Sequence, residues 1–137
     1  MPLKTIPIAD AGIIIGLRSD NKAQREWALR CFEQQKKTFL TCEAALAEAA
    51  HFCGPEFICA LLESRELTLA FSLSDQHPRV CSLIKKYAGQ MDLADACLVR
   101  MSELIPDCKI YTVDRKDFTI YRRNGDESIP CEIGPRS

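Results

Sequence analysis

The sequence predicts an α/β fold, a PIN-like three-layer arrangement with a central, mostly parallel sheet and helices on both faces. Short apolar runs that read as strands alternate with longer stretches of helical period from one end to the other. With 137 residues, 47% of them hydrophobic and 27% charged, the chain can fill one core and keep a solvated surface. No internal repeat or low-complexity segment divides it. The expectation is therefore one domain over 1–137, with a polar tail over 124–137.

The elements are expected in this order. Residues 5–9 form a short buried strand, and Pro7 within it favours an early or edge position. A helix begins behind Asp10 over 11–17, and Ser19 to Asn21 is a turn. Residues 22–36 carry Ala23, Trp27, Cys31 and Phe32 with charges between them, a helical period. A short strand over 38–41 precedes an alanine-rich helix over 42–53. Gly54-Pro55 breaks that helix, and another follows over 56–64. Residues 67–73 are β-like. Val80, Leu83, Ile84 and Tyr87 mark a helix over 78–88, which Gly89 ends. An apolar helix over 92–104 leads to a strand over 109–113, a short element over 118–121, and an edge strand over 129–133.

Net charge is -1, which excludes a global basic field of the kind that marks many nucleic-acid binders. Eight cysteines are present without a Cys-x-x-Cys pair, and the only histidines are His51 and His77, so zinc-ligand spacing is absent. No signal peptide and no apolar run of ~18 residues is visible. These features read as a cytoplasmic protein, without membrane association, whose cysteines are reduced and mostly buried. His51 reads as a helix-surface residue and His77 as a loop residue.

Chemistry concentrates in the acids. Ligands of parallel α/β sheets bind outside the carboxyl ends of the strands. Asp10 follows the first strand, and Asp114 follows the strand over 109–113 with Asp117 three residues on. Glu48 and Asp95 interrupt helices that are otherwise apolar. Gathered carboxylates repel one another unless a divalent cation neutralises them. Oxygen ligands point to Mg2+ or Mn2+ rather than zinc or copper. Such a cluster suits phosphoryl transfer or phosphodiester hydrolysis by an activated water, with no side-chain nucleophile. The absence of a P-loop, a Gly-x-Ser-x-Gly elbow and a Gly-x-Gly-x-x-Gly loop agrees with this. Each acid also has a plain structural reading: a helix cap for Asp10 or Asp92, a solvated helix glutamate for Glu48, a first-turn acid for Glu43 or Asp95, and turn residues for Asp114 and Asp117.

Four segments in order resemble the PIN-domain family, in particular the VapC-type toxin ribonucleases. They are Ile8-Ala9-Asp10-Ala11-Gly12, Leu46-Ala47-Glu48-Ala49, Asp92-Leu93-Ala94-Asp95-Ala96, and Tyr111-Thr112-Val113-Asp114-Arg115-Lys116-Asp117-Phe118. The last, similar to a "Thr-x-Asp/Asn-x-x-Asp-Phe" motif, is the most specific. The resemblance implies a Mg2+- or Mn2+-dependent endoribonuclease, the toxin of a toxin–antitoxin pair. It also implies a homodimer and a small cognate antitoxin that inserts near the site. Carried over, Asp10, Glu48, Asp95 and Asp114 are the catalytic, metal-binding acids, with Asp117 adjoining. Asp92 and Thr112 are auxiliary, the Thr112 hydroxyl holding a carboxylate or a metal-bound water. Asp95 is favoured over Asp92 for its distance to Thr112 and its apolar context. Ala11 and Gly12 stand where many members carry Thr or Ser.

The basic group Arg115, Lys116, Arg122 and Arg123 offers RNA phosphate contacts, Arg115 and Lys116 foremost, or a solvated charge run. Trp27 and Phe32 read either as core or as anchors at a groove or dimer face. Two rival functions share these residues: a non-catalytic PIN-like module that binds RNA or a protein, and a metal-dependent phosphatase or DNA nuclease.

Overall fold

The computed structural model describes residues 5–136. In chain order the elements are β1 (Ile6–Ala9), α1 (Ala11–Gly16), α2 (Lys22–Gln34), β2 (Phe39–Thr41), α3 (Glu43–Cys53), α4 (Pro55–Glu63), β3 (Leu67–Leu69), α5 (Leu73–Lys86), α6 (Leu93–Leu104), β4 (Cys108–Thr112), α7 (Arg115–Ile120), β5 (Arg122–Arg123), β6 (Glu127–Ser128) and β7 (Cys131–Ile133). Five strands form one parallel sheet in the order β3-β2-β1-β4-β7, and β5 and β6 make a separate antiparallel pair. The expected α/β fold with helices on both faces is what the chain adopts.

Strand alternation builds the two faces. Ile8 and Ile110 point into a core shared with Val80 and Leu83 of α5 and Leu98 and Met101 of α6. Their neighbours Ala9 and Tyr111 join a second core with Ile13 and Ile14 of α1, Trp27 and Ala28 of α2, Leu46 and Ala49 of α3, and Ile58 and Leu61 of α4. Trp27 is thus a core residue, and Phe32 stacks on Phe39 with ring centroids 4.4 Å apart. Among the described residues no helix is long and apolar enough to cross a membrane.

Pro7 does not mark an edge. β1 is the central strand, between β2 and β4. The N–H groups of Ile6 and Asp10 donate to Asp107 and Tyr111 on the β4 side. Alternation turns the Pro7 nitrogen toward β2, where the pairing register is the single position Ile8↔Leu40. The missing donor falls where the ladder does not need it.

Other boundaries shift for identifiable reasons. β3 ends at Leu69, and α5 starts at Leu73 rather than 78. The Ser72 hydroxyl caps α5 by accepting from the Asp75 N–H at 3.2 Å. Pro78 then lies inside the helix, and the carbonyl it leaves without a donor belongs to exposed Ser74. His77 consequently sits on the exposed face of α5 and not in a loop. The short element after Asp114 is the helix α7, and the tail holds the β5–β6 pair as well as the expected edge strand β7.

Besides the β4–β7 pairing, the ties that hold the tail to the body include a close backbone approach and a buried carboxylate. Gly134 donates its N–H to the Thr112 carbonyl at 2.9 Å, and a Cβ added at Gly134 would lie 2.3 Å from the Trp27 indole. Gly134→Ala is expected to destabilise the fold by about 2–3 kcal/mol through overpacking, read as a lower urea midpoint at unchanged slope.

The second tie is ionic. The Glu103 side chain, 2% exposed, accepts from Arg79 at 2.7 and 2.9 Å, from Arg100 at 3.0 Å, and contacts the Asn124 N–H at 2.6 Å. Burial raises its pKa, but these donors together hold the carboxyl down at about 2, against an ordinary 4.5. A depressed carboxylate stabilises the fold above its unfolded pKa and loses that contribution as pH falls toward the folded value. Stability is therefore expected to decline between about pH 4.5 and 2 in the parent, and less steeply in Glu103→Gln, when unfolding midpoints are followed across that range.

Candidate active site

The topology fixes where a site can form. From β1 the chain moves outward to β2 and β3, then crosses back to β4 and β7 on the other side. The strand order reverses between β1 and β4, and the crevice beyond their carboxyl ends is the place where such sheets bind ligands. Asp10 follows β1 directly, and Thr112 and Asp114 lie at and beyond the end of β4.

A cleft of about 390 Å³ opens there. Six carboxylates line it: Asp10, Glu48, Asp92, Asp95, Asp114 and Asp117. They arrive from separate parts of the fold. Asp10 comes from the β1–α1 junction, Glu48 from α3, Asp92 and Asp95 from the start of α6, and Asp114 and Asp117 from the start of α7.

Asp10 is buried and held at both oxygens. Its Oδ1 accepts from the Ala11 N–H at 2.7 Å, the helix-cap contact, and its Oδ2 accepts from the Thr112 hydroxyl at 2.6 Å. The Thr112 oxygen in turn accepts from the Asp114 N–H at 3.0 Å. Capping and site are thus one arrangement. Burial raises the Asp10 pKa, the Thr112 and Ala11 hydrogen bonds oppose it, and the charges of Glu48 and Asp114 add to it, for a value of about 6.

Asp92 and Asp95 divide their labour. Asp92 caps α6, its Oδ1 accepting from the Asp95 N–H at 2.8 Å. The half-buried Asp95 Oδ2 accepts from the Tyr121 hydroxyl at 2.8 Å. Desolvation pushes Asp95 up to about 7 against that hydrogen bond, with help from the charges of Asp92 and Asp10. Tyr121 itself is raised, first by burial and then by its bond to Asp95.

Asp114 repeats the capping geometry on α7, its Oδ1 accepting from the Asp117 N–H at 3.0 Å. Asp117 accepts from the Gln90 side-chain amide at 3.2 Å. Burial and then the Asp117 charge raise Asp114. Glu48 stands at the exposed rim, raised by desolvation and by Asp92.

The basic group splits. Arg115 and Lys116 are exposed on α7 and line a groove of about 440 Å³ beside the cleft, the two sharing Val113 and Arg136. Arg122 turns one guanidinium nitrogen, Nη1, to the carbonyls of Thr119, Ile120 and Tyr121. Arg123 is buried, donating to the Ser102 carbonyl at 2.8 Å and pairing with Glu127. Arg123 is therefore not free to meet a phosphate.

Sequence reasoning missed Ile15, Gln24, Phe52, Gln90 and Arg136 in the cleft lining, and Tyr121 as the support of Asp95. Gln24 carried a usable signal, a polar side chain on the buried stripe that continues through Trp27, Ala28 and Cys31. The structure also explains the small residues after Asp10. Ala11 is fully buried, and a Cβ on Gly12 would meet Val113 Cγ2 at 2.7 Å. A side chain at position 12 would have to displace Val113.

The donor set is oxygen throughout, with no thiol or imidazole in the cleft, which fits a hard divalent cation. Two of the acids are also held near neutral pKa by burial and like charge, a penalty that a cation would relieve. As the side chains stand, no three His, Cys, Asp or Glu among the described residues are gathered tightly enough to hold an ion. No protein-family model matches the chain, and no curated protein matches it.

Proposed function

We propose that this chain is a divalent-metal-dependent endoribonuclease of the PIN-domain, VapC-like kind. One observation carries the metal-dependent hydrolase part: carboxylates from four separate segments meet in one cleft at the switch point of a parallel sheet. The RNA substrate, the toxin role, the cognate antitoxin and the homodimer rest on the four ordered motifs, and the cytoplasmic setting rests on composition.

Asp10, Glu48, Asp95 and Asp114 would hold Mg2+ or Mn2+, with Asp117 beside them. When bound, such an ion lowers the pKa of water and neutralises charge developing on the phosphate. Asp10 supplies a carboxylate whose orientation Thr112 and the Ala11 N–H fix. Tyr121 orients Asp95 by donating to its Oδ2. Asp92 and Asp114 fix the starts of α6 and α7 and so set where Asp95 and Asp117 stand. Arg115 and Lys116, on the adjoining groove, can meet the phosphates of a bound strand.

The test is cleavage by the pure protein of labelled single-stranded RNA, structured RNA and DNA, with magnesium, with manganese and with chelator. RNA is expected to be cut with either ion and left intact with chelator. Intact RNA under every metal condition would sink the enzyme reading, and equal cutting of DNA would remove its restriction to RNA.

A further inference from the structure

Phe52 stands in the cleft without a part in the metal chemistry. It lies in the last turn of α3, four residues after Glu48 and so on the same helix face. At 69% it is the most exposed of the large hydrophobics, and it joins neither core. A single exposed apolar side chain is ordinary. The position of this one is not. The other exposed large hydrophobics among the described residues are Leu or Ile, and none of them lines the cleft. An aromatic ring thus forms part of the wall of an acidic cleft, with half-buried Ile15 of α1 in the same lining.

Positive charge arrives from other elements. Arg136 follows β7 and lines both the cleft and the groove of Arg115 and Lys116. All three are exposed, and among the described residues none of them is in an ion pair. In the sheet order, β1 separates β2, which leads into α3, from β4 and β7, which lead into α7 and the tail. Asp10, at the end of β1, therefore lies between the element that carries the ring and those that carry the cations. This succession matches a nucleotide strand, which alternates flat bases with charged phosphates. A phosphate is drawn to Arg and Lys, and the face of a base to an aromatic ring. A protein partner would need a wider apolar surface than one ring among six carboxylates supplies.

We propose that Phe52 is a base-stacking residue: one nucleobase of a bound strand lies on its ring, and neighbouring phosphates run onto Arg136 and the groove beyond. This rests on the reading of the cleft as a nucleic-acid site. The two contacts differ in kind. Stacking is largely indifferent to salt, whereas a phosphate contact weakens as salt rises, because binding there releases counterions. Phe52 also demands a base whose face is free, and a base inside a duplex has none to offer. The ring therefore acts on substrate position, and the acids beside it keep the chemistry.

Binding of an end-labelled single-stranded RNA, followed by fluorescence anisotropy with calcium present to neutralise the acids, tests it together with ultraviolet crosslinking and peptide mapping of the same complex. A nucleotide adduct on Phe52 is expected. Phe52→Leu keeps an apolar side chain at an exposed helix position, so the fold is not at stake; it should bind about tenfold more weakly at an unchanged salt slope. Phe52→Tyr, which keeps a ring, should bind like the parent. Arg136→Ala should instead reduce the salt slope by about 0.7. The proposal is overturned if Phe52→Leu binds as tightly as the parent, if the adduct forms elsewhere, or if the parent binds no RNA. It is equally overturned if Phe52→Leu changes the oligomeric state and leaves RNA binding alone, which would make the ring a protein contact. A parent that crosslinks at Phe52 but cuts nothing keeps this inference and loses the enzyme reading. One that cuts RNA just as well after Phe52→Leu, with unchanged binding, does the reverse.

Discussion

Asp10→Asn is expected to slow metal-dependent RNA cleavage by about a thousandfold, a loss on the order of 4 kcal/mol of transition-state stabilisation. Asp10 is buried, is held at both oxygens and is flanked by Glu48 and Asp114, so its charge has a fixed position in the cleft. The amide keeps the shape and can still accept from Ala11, but it carries no charge to offer a cation. Asp95→Asn should cost a similar factor. Thr112→Val removes only the hydroxyl that orients Asp10, and a change to such a supporting residue typically costs about 10- to 100-fold. Initial rates on one labelled RNA, with unchanged circular dichroism, give the comparison. Undiminished cutting by Asp10→Asn would show that the cleft is not where the chemistry occurs.

The same substitution is expected to make the metal-free protein more stable. Asp10 is raised from 3.8 to about 6, so between those values the folded state binds more protons than the unfolded chain. Stability from this group is therefore complete below about pH 3.8 and is lost as pH rises through about 6. Asp10→Asn removes that loss. The variant should match the parent near pH 4 and exceed it by about 2 kcal/mol at pH 8 in chelator. Asp95, raised to about 7, works in the same direction, with a smaller gain because it is only half-buried. Denaturant unfolding at the two pH values reads the difference. A variant less stable than the parent at pH 8 would mean that the Asp10 hydrogen bonds outweigh its buried charge. A cleft that destabilises its own apo fold is a frequent cost of function.

Much of this was legible in the sequence because the relevant signals are local. A charged residue inside an apolar helix, as at Glu48 and Asp95, or directly after a strand, as at Asp10 and Asp114, announces itself against its neighbours. Where two acids stood close together, sequence alone could not rank them. Asp92 and Asp95 are separated by a hydrogen bond that makes one the cap and by Tyr121, a residue 26 positions away from Asp95, that holds the other. Arg123 reads as a free cation from composition and becomes a buried strut only because β5 folds against α6. Pro7 left an early and an edge position open, and what decides between them, the pairing of β2, is not local. Phe52 and Arg136 reach the cleft through tertiary placement, with no neighbouring pattern to flag them.

The carboxylate cleft is expected to exchange protons for a divalent cation. Calorimetric titration of the metal-free protein with manganese at pH 6.5, in two buffers of different ionisation enthalpy, tests it most directly. With Asp10 near 6 and Asp95 near 7, part of the site is protonated at that pH, so binding should release protons and the measured heat should differ between buffers. Both the binding and the released protons should fall sharply in Asp10→Asn and in Asp95→Asn. Binding that releases no protons, or that survives both substitutions unchanged, would show that these acids do not hold the cation.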